Sequence, residues 1–159
     1  MAKNIVIAVA SSGDAETIAA ILLDAFREFE PLYTPGGFRA TTPTAAEILA
    51  RWPEGPSWIA TIDGKAVGTA AAVDRGDEIY VRSMAVTPAA RGAGVGVALL
   101  DAVTRFAIDT GARRMRLSTT PFLHAAIRLY ERAGFTPQPG PLDLHGTPLF
   151  AMIKDLPTP

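Results

Sequence analysis

The chain has 159 residues, of which 48% are hydrophobic and 19% are charged, and its formal net charge is −1. These values predict a single globular domain over residues 1–159 and exclude an overall attraction to nucleic acid or to an anionic membrane. No apolar run approaches the roughly 20 residues that span a bilayer, and the absence of cysteine excludes disulfides, zinc–thiolate sites and a cysteine nucleophile. We expect a cytoplasmic protein without a metal site.

The N-terminal third predicts one strand and two helices. A β-branched run over residues 5–9 predicts the strand, and Asp14 is the expected cap of the first helix. One face of that helix is marked by apolar residues at helical spacing, namely Ile18, Ile21, Leu22, Ala25, Phe26 and Phe29. Residues 34–37 read Thr-Pro-Gly-Gly and predict a break in regular structure. Thr44 and Glu47 then form a capping box that starts a short second helix.

Three consecutive strands are predicted in the middle of the chain. Residues 57–62 and 66–73 flank Asp63-Gly64, a pair typical of a tight hairpin turn. A second turn precedes residues 78–86, which predict the third strand. We therefore expect these three strands to be antiparallel.

The C-terminal half predicts two helices and further strands. Val95, Leu99, Val103 and Phe106 mark a core-facing helix that ends at Gly111. A strand over residues 114–118 should run parallel to the preceding strand because a helix joins them. The next helix is expected to begin at Pro121 and end at Gly134, with Leu123, Ile127 and Tyr130 on one face, and closing strands are expected at Phe135 and over residues 148–153.

The most specific motif lies between the third of these strands and the following helix. The strand ends in Ala-Val-Thr-Pro, and residues 91–96 read Arg-Gly-Ala-Gly-Val-Gly. Glycines expose backbone N–H groups at a helix N-terminus, where an anion is favoured, and Arg91 adds a cation suited to phosphate oxygens. A P-loop is excluded because no Gly-Lys-Ser/Thr occurs, and a dinucleotide fingerprint fails because Gly96 stands one position too early.

A second motif follows in residues 126–135, where a helix carrying Tyr130 ends at Gly-Phe. The two motifs together resemble the GNAT superfamily of acyl-CoA-dependent N-acyltransferases. The resemblance implies an α/β (α+β) fold with a mixed, largely antiparallel twisted sheet of about six to seven strands and helices on both faces. It also implies a central parallel strand pair that splays to hold pantetheine.

The resemblance further implies transfer of the acetyl group of acetyl-CoA to a primary amine, by direct attack within a ternary complex. The acceptor is expected to be a small molecule, with a protein or peptide amine as one alternative and a non-catalytic acyl-CoA-binding module as another. Tyr130 matches the family's tyrosine that protonates the departing thiolate. Residues matching the cofactor-binding segments are Met84, Ala85, Val86, Arg91, Gly92, Ala93, Gly94, Val95 and Gly96.

Two positions around Tyr130 and on the third strand leave alternatives open. Strand alternation places Glu78, Tyr80, Arg82, Met84 and Val86 on one face, and Glu78 is the carboxylate among them. Glu78 is therefore the leading candidate for the general base, and a water relay without a single base is the alternative. Where the family often has an asparagine one turn before its tyrosine, this chain has Leu123 followed by His124. His124 could replace that contact or be a plain surface histidine.

Aromatic residues in the N-terminal third suggest the acceptor site. Phe29 and Tyr33, with Phe38 and Trp52, could form an aromatic wall for a cationic amine, or could be plain core. A loop near the C-terminus adds Asp143, His145 and Thr147 as candidate acceptor contacts.

Residues 142–153 are apolar and are expected near the edge of the sheet, where a second subunit could cover them in a homodimer. The alternative is a monomer whose edge is protected internally by Pro148 and the proline-rich loop before it.

Overall fold

The computed structural model describes residues 4–157, which form an eight-stranded mixed sheet with five helices. The strands are β1 (Ile5–Val9), β2 (Ser57–Ile62), β3 (Lys65–Asp74), β4 (Glu78–Val86), β5 (Arg114–Thr119), β6 (Thr136–Pro137), β7 (Leu142–Leu144) and β8 (Thr147–Asp155). The helices are α1 (Ala15–Phe26), α2 (Pro35–Thr41), α3 (Ala45–Ala50), α4 (Val95–Asp109) and α5 (His124–Arg132).

The sheet has the order β1-β2-β3-β4-β5-β8-β6, and β7 pairs with β8 outside this path. β4 and β5 are parallel, and the other neighbouring strands are antiparallel. The mixed, largely antiparallel sheet expected from the sequence is therefore confirmed. β6 follows directly after Phe135, where a closing strand was expected, and the short β7 is an addition. Within residues 4–157, every helix is too short or too polar to cross a membrane.

Helices cover both faces of the sheet, as expected. One core cluster joins α4 and α5 to strand residues such as Trp58 and Ala60, and the other joins α1 and α3 to Ile59. Neighbouring residues of β2 thus enter different clusters because side chains alternate between the faces of a strand.

A gap opens between β4 and β5 at their C-terminal ends. The two strands pair from Glu78 opposite Arg114 as far as Tyr80 opposite Arg116. Beyond that point β5 continues alongside β8 to Thr119, and β4 continues alongside β3 to Val86. The edge of β4 that faces β5 is left without a strand partner over its second half, as the family resemblance implies.

A β-bulge in β4 overturns the expected strand alternation. Ser83 has a left-handed φ of 55°, and the β3–β4 register shifts opposite it, between Thr69 and Ala71. Before the bulge Ile79 and Val81 pack in the α4 cluster, whereas after it Met84 and Val86 do so. The prediction of one shared face for Glu78, Tyr80, Arg82, Met84 and Val86 is therefore wrong. The first three face the α1 side, because the extra residue inverts the side-chain phase.

The predicted break over residues 34–37 is confirmed at Thr34, whose backbone is extended, and is wrong for residues 35–37, because α2 begins at Pro35. The Thr34 side chain caps the helix by accepting a hydrogen bond from Gly37 N at 3.0 Å, and Pro35 occupies the first helical position, where no N–H is needed. A Cβ on Gly37 would lie 2.2 Å from Thr147 Oγ1, so this glycine permits close packing against β8.

The start of α5 differs from the expectation as well. The helix begins at His124 and not at Pro121, because Leu123 still has a non-helical backbone. Its core-facing side consists of Ala126, Leu129, Tyr130 and Ala133.

The C-terminal stretch is not an open edge. β8 pairs with β5 on one side and with β6 and β7 on the other. Short strands of the same chain therefore cover the surface for which a second subunit was predicted. The homodimer stays a prediction, but an open apolar edge at the C-terminal strand does not support it.

Candidate active site

The turn between β4 and α4 presents open backbone. Gly92 and Gly94 have φ values of 81° and 89°, in the left-handed region that side chains other than glycine rarely adopt. A Cβ at Gly92 would meet nothing within 4 Å, and one at Gly94 would meet only Ile5 Cδ1, at 3.9 Å. Neither glycine is therefore needed for protein packing, and the space around the turn is free for a ligand.

The N-terminus of α4 points donors into this space. Gly94 is the N-cap, and no side chain caps the helix there. The first helical hydrogen bond runs from Ala98 N to Gly94 O at 3.1 Å, so the N–H groups of Val95, Gly96 and Val97 have no partner within the helix. Such a helix start favours a phosphate or another anion.

Gly96 is needed for helix packing, unlike Gly92 and Gly94. A Cβ on Gly96 would lie 3.0 Å from Leu129 Cδ2. The glycine thus allows α4 to approach α5 closely, which brings the helix carrying Tyr130 to the turn.

Arg91 links this turn to the end of α1. Its guanidinium donates to Ala25 O at 2.9 Å and forms an ion pair with Glu28, and it lies 5.9 Å from the centre of the Phe29 ring. The side chain remains 39% exposed. Arg91 is therefore held at the rim of the turn by groups that an anionic ligand would compete with.

Tyr130 is buried at the inner face of α5, where its ring packs edge-on to Phe135 at 6.0 Å. Burial raises the pKa of Tyr130 to about 12, and the nearby hydroxyls of Tyr80 and Tyr33 add to the shift. The side chain of Tyr130 is thus a neutral phenol at physiological pH and carries a proton that it can donate.

Glu78 lies at the start of β4, where the parallel strands are still paired. It forms an ion pair with Arg116, and its side chain is 19% exposed. The ion pair keeps the carboxylate on the sheet face that also carries Tyr80 and Arg82.

The predicted acceptor aromatics come together through a residue that the sequence analysis missed. Tyr33 stands perpendicular to Phe122 at 4.9 Å, and Phe29 lies 6.4 Å from the same ring. Phe38 completes this aromatic cluster, with its ring 6.0 Å from Tyr33. Trp52 instead packs beside α1 and α3.

Two buried hydroxyls at the end of β5 were also missed. Thr119 and Thr120 are 5% and 2% exposed, and neither Oγ1 has a hydrogen-bond partner among the described residues. Burial raises the pKa of Tyr33, although the hydroxyls of Thr41 and Thr120 lower it in part. Thr120 Oγ1 thus lies near Tyr33 without reaching hydrogen-bond geometry. An unsatisfied buried hydroxyl is costly, so both indicate a ligand or water at this end of the gap. Their position at the carboxyl end of a parallel strand was the available signal.

The C-terminal candidates hold the start of α2 and the β7–β8 turn in place. Thr147 Oγ1 accepts from Thr34 N at 2.9 Å, and the Thr34 hydroxyl donates to the main-chain oxygen of His145 at 2.7 Å. Asp143 accepts from Gly146 N at 3.0 Å within the β7–β8 turn. These contacts fasten the start of α2 to the hairpin. His124 is exposed at the first position of α5.

Comparison with known proteins identifies the family. The chain matches the model of the acetyltransferase (GNAT) family over residues 19–135. It is 31% identical over 141 residues to mycothiol acetyltransferase of Cellulomonas flavigena, which covers 83% of this chain and 38% of that protein. It is 38% identical over 80 residues to N-acetylaspartate synthetase of Danio rerio, which covers 49% of this chain and 28% of that protein. The chain thus spans well under half the length of these relatives.

The fold is shared with solved structures. A GNAT family acetyltransferase from Elizabethkingia anophelis with acetyl-CoA bound has a TM-score of 0.72 and 18% identity, covering 96% of this chain and 99% of that chain. The family match includes the turn at residues 91–96 and the whole of α5, the two segments on which the resemblance was based. The chain therefore belongs to the acetyltransferase (GNAT) family.

Proposed function

We propose that the protein transfers the acetyl group of acetyl-CoA to a primary amine of a small molecule, by direct attack within a ternary complex. The observation that carries the proposal is the influence of Tyr80 on the Tyr130 pKa, because Tyr80 is the last residue of β4 that pairs with β5. The open glycine turn follows the free end of β4, and Tyr33 of the aromatic cluster is close enough to influence the Tyr130 pKa.

The residues of the turn fit the phosphate groups of acetyl-CoA. The free N–H groups of Val95, Gly96 and Val97 would bind the pyrophosphate, and Arg91 would contribute its charge after release from Glu28. Met84, Ala85 and Val86 would pair through their main chain with the pantetheine arm, because their strand edge faces no strand of this chain in the described region. Relatives support this choice, since the Elizabethkingia protein was solved with acetyl-CoA bound.

Tyr130 supplies the proton that the reaction needs. The amine nitrogen attacks the thioester carbonyl carbon, the C–N bond forms, and the C–S bond then breaks. The departing thiolate takes its proton from the Tyr130 hydroxyl, and the phenolate, which the raised pKa makes a strong base, regains a proton from solvent. A main-chain N–H at the free edge of β4 stabilises the oxyanion.

Glu78 is proposed as the base that removes a proton from the attacking amine, through water. Its carboxylate is on the same sheet face as Tyr80 and Arg82. Because Glu78 pairs with Arg116, either partner's removal breaks the ion pair, but only removal of Glu78 deletes a base. Glu78→Gln should therefore lower kcat by about 100-fold or more, with Arg116→Gln as the matched control. Equal losses in the two variants would assign Glu78 a structural role and favour the water relay.

The aromatic cluster of Phe29, Tyr33, Phe38 and Phe122 is proposed to receive the acceptor. Aromatic faces attract a protonated amine, and the unsatisfied hydroxyls of Thr119 and Thr120 could hold polar atoms of the bound pair of substrates. A small acceptor is favoured because Tyr33 is buried and the start of α2 is tied to the β7–β8 hairpin, which leaves little room for a folded protein partner.

The proposal is tested by thiol release from acetyl-CoA in a screen of amines, with product identified by mass spectrometry. The screen should contain simple amines, amino acids, polyamines and short peptides with free N-termini. Acetylation of one or more small amines with saturation kinetics is expected. Transfer to peptides alone would support the protein-amine alternative. Tight acetyl-CoA binding without transfer to any amine would support the non-catalytic module.

A further inference from the structure

We propose that a small cavity between α3 and strands β3 and β4 binds a carboxylate of the acceptor, so that the acceptor is an amino acid or another carboxylated amine. The cavity is lined by Arg51 and Arg82. This inference rests on the proposed function, because it names the class of amine that the same site takes.

The cavity has the size and the lining of a carboxylate site. Its volume is about 30 Å³, which is room for about two water molecules or for one carboxylate group. The apolar side chains of Ile18, Ile48 and Trp52 line the cavity beside the two arginines, and Ser83 also lines it. Apolar surroundings strengthen the attraction between a guanidinium and an anion.

The two charged side chains that line the cavity, Arg51 and Arg82, are both cationic. Arg82 donates to Glu54 at 3.1 Å, and Glu54 is the exposed partner of that pair. Glu47 also lies near Arg51, but its carboxylate already accepts from Thr44 N at 3.0 Å. Burial lowers the pKa of Arg51 and the charge of Arg82 lowers it further, while the carboxylates of Glu47 and Glu54 raise it in part. Two guanidiniums held together in a partly buried space attract an anion, and arginine binds a carboxylate with two parallel hydrogen bonds.

The position of the cavity places such an anion beside the reaction. Ser83 lines the cavity and is the residue of the β4 bulge, directly before the free edge formed by Met84, Ala85 and Val86. Arg82 is on the same sheet face as Glu78 and Tyr80. An acceptor anchored by its carboxylate at Arg51 and Arg82 would therefore present its amine on the side of the sheet where the proposed base lies.

Pairs of acceptors that differ only in the carboxylate give the direct test. Each L-amino acid is compared with its α-carboxamide, which keeps the amine and the side chain. The best amino acid should exceed its carboxamide in kcat/KM by about 10- to 100-fold, the range expected for charge-assisted hydrogen bonds. Equal use of acids and amides, with saturating transfer to both, would overturn the inference while leaving the proposed function standing. Absence of transfer to any amine would overturn both.

Arginine variants locate the effect in this cavity. Arg51→Gln and Arg82→Gln should raise KM for the best amino acid by about 10-fold or more, with little change in KM for its carboxamide. Arg51→Lys keeps the charge and should lose less than Arg51→Gln. Arg105→Gln is the control, because Arg105 is exposed on α4 at the other face of the sheet. Circular dichroism confirms that each variant is folded.

Substitution of Glu54 should change KM for the amino acid in the opposite direction. Because Glu54 competes for Arg82, Glu54→Gln should lower KM for the amino acid by a few-fold and leave KM for the carboxamide unchanged. Adding acetate tests whether the cavity binds a carboxylate that carries no amine. Acetate should compete with the amino acid and not with acetyl-CoA. Identical KM values for the acid in wild type, Arg51→Gln and Arg82→Gln would refute the site.

Discussion

The two sides of the β4–β5 gap are constructed in different ways. On the proposed cofactor side, Gly92 and Gly94 take left-handed φ values within a few residues of each other, and α4 begins at once. On the proposed acceptor side, Thr34 is fastened to Thr147, 113 residues away, and Tyr33 packs on Phe122. A local motif therefore forms one side, whereas contacts between distant segments form the other.

This difference matches a division of labour. A turn made of backbone N–H groups recognises phosphate whatever else the chain binds, because it depends on glycines and on a helix start. In the function that we propose, side chains on loops select the acceptor, and loops can change without disturbing the sheet that holds them. Tyr130 belongs to both sides, because α5 packs against α4 at Gly96 while Tyr33 lies close to its hydroxyl.

The largest expected effect comes from removing the Tyr130 hydroxyl at the point where the two sides meet. Tyr130→Phe keeps the ring and its packing on Phe135 but removes the proton donor, so kcat should fall by roughly 10²–10⁴-fold while acetyl-CoA affinity stays unchanged. Steady-state kinetics on an acceptor for which chemistry is rate-limiting checks this. Tyr33→Phe is the comparison, because it removes a neighbouring hydroxyl but keeps the aromatic ring proposed to contact the acceptor, so any effect should fall on KM and leave kcat near the wild-type value. A wild-type kcat for Tyr130→Phe would mean that the thiolate is protonated by another group or by solvent.

A change confined to the glycine turn should break the cofactor side alone. Gly94→Val places a branched side chain in the open space at the start of α4, and the loss of two charge-assisted hydrogen bonds would weaken CoA binding by about 100-fold or more. Calorimetric titration of the folded variant with CoA measures the loss.

The strain of a left-handed valine is a separate effect and has a matched control. Gly64 has a similar φ of 78° and open space, but lies in the β2–β3 hairpin. Gly64→Val should therefore cost similar stability and leave CoA affinity intact. Unchanged affinity in Gly94→Val would remove the turn from the cofactor site.

The same contrast explains how far the sequence could predict the molecule. The turn, the strand before it and the Tyr130 helix were predictable because each depends on residues adjacent in sequence. The bulge at Ser83 could not be predicted, because nothing in the composition of the strand indicates an extra residue. The bulge places Arg82 and Met84 on opposite faces of the sheet. α2 was hidden by Gly36-Gly37, since those glycines serve packing against His145 and Thr147 from a distant hairpin.

Acceptor-side residues were predictable only as residue types. Phe29 and Tyr33 were named as aromatic, but Phe122 joins them only after β5 and α5 are in place. Thr119 and Thr120 become informative through their burial without partners, a property of the fold and not of the residue pair. Long-range packing of this kind carries no local pattern.

An alkaline titration should reveal the environment that the acceptor side creates around Tyr130. Its pKa is about 12 in the folded protein against 10 for an ordinary tyrosine. The folded state holds this proton more tightly than the unfolded state does. The resulting contribution of Tyr130 to the free energy of unfolding is therefore complete below pH 10 and is lost as the pH rises from 10 to 12. At pH 11 the loss should be about 1 kcal/mol. Urea unfolding at pH 8 and pH 11 measures it, and Tyr130→Phe should lack that part of the decrease. Equal decreases in both proteins would contradict the raised pKa.

The smallest effect concerns the contact that joins the two sides. Arg91 pairs with Glu28 at the end of α1, so phosphate must compete with this carboxylate for the guanidinium. Glu28→Gln weakens the competitor and should increase CoA affinity by up to about five-fold, since exposed ion pairs contribute at most about 1 kcal/mol. Glu30→Gln is the matched control, a neighbouring exposed glutamate outside that pair. The gain should shrink at high salt, because screening weakens the Glu28 contact in the free protein. Lower affinity in Glu28→Gln would instead mean that Glu28 positions Arg91 for phosphate, and the two sides would then cooperate through this pair.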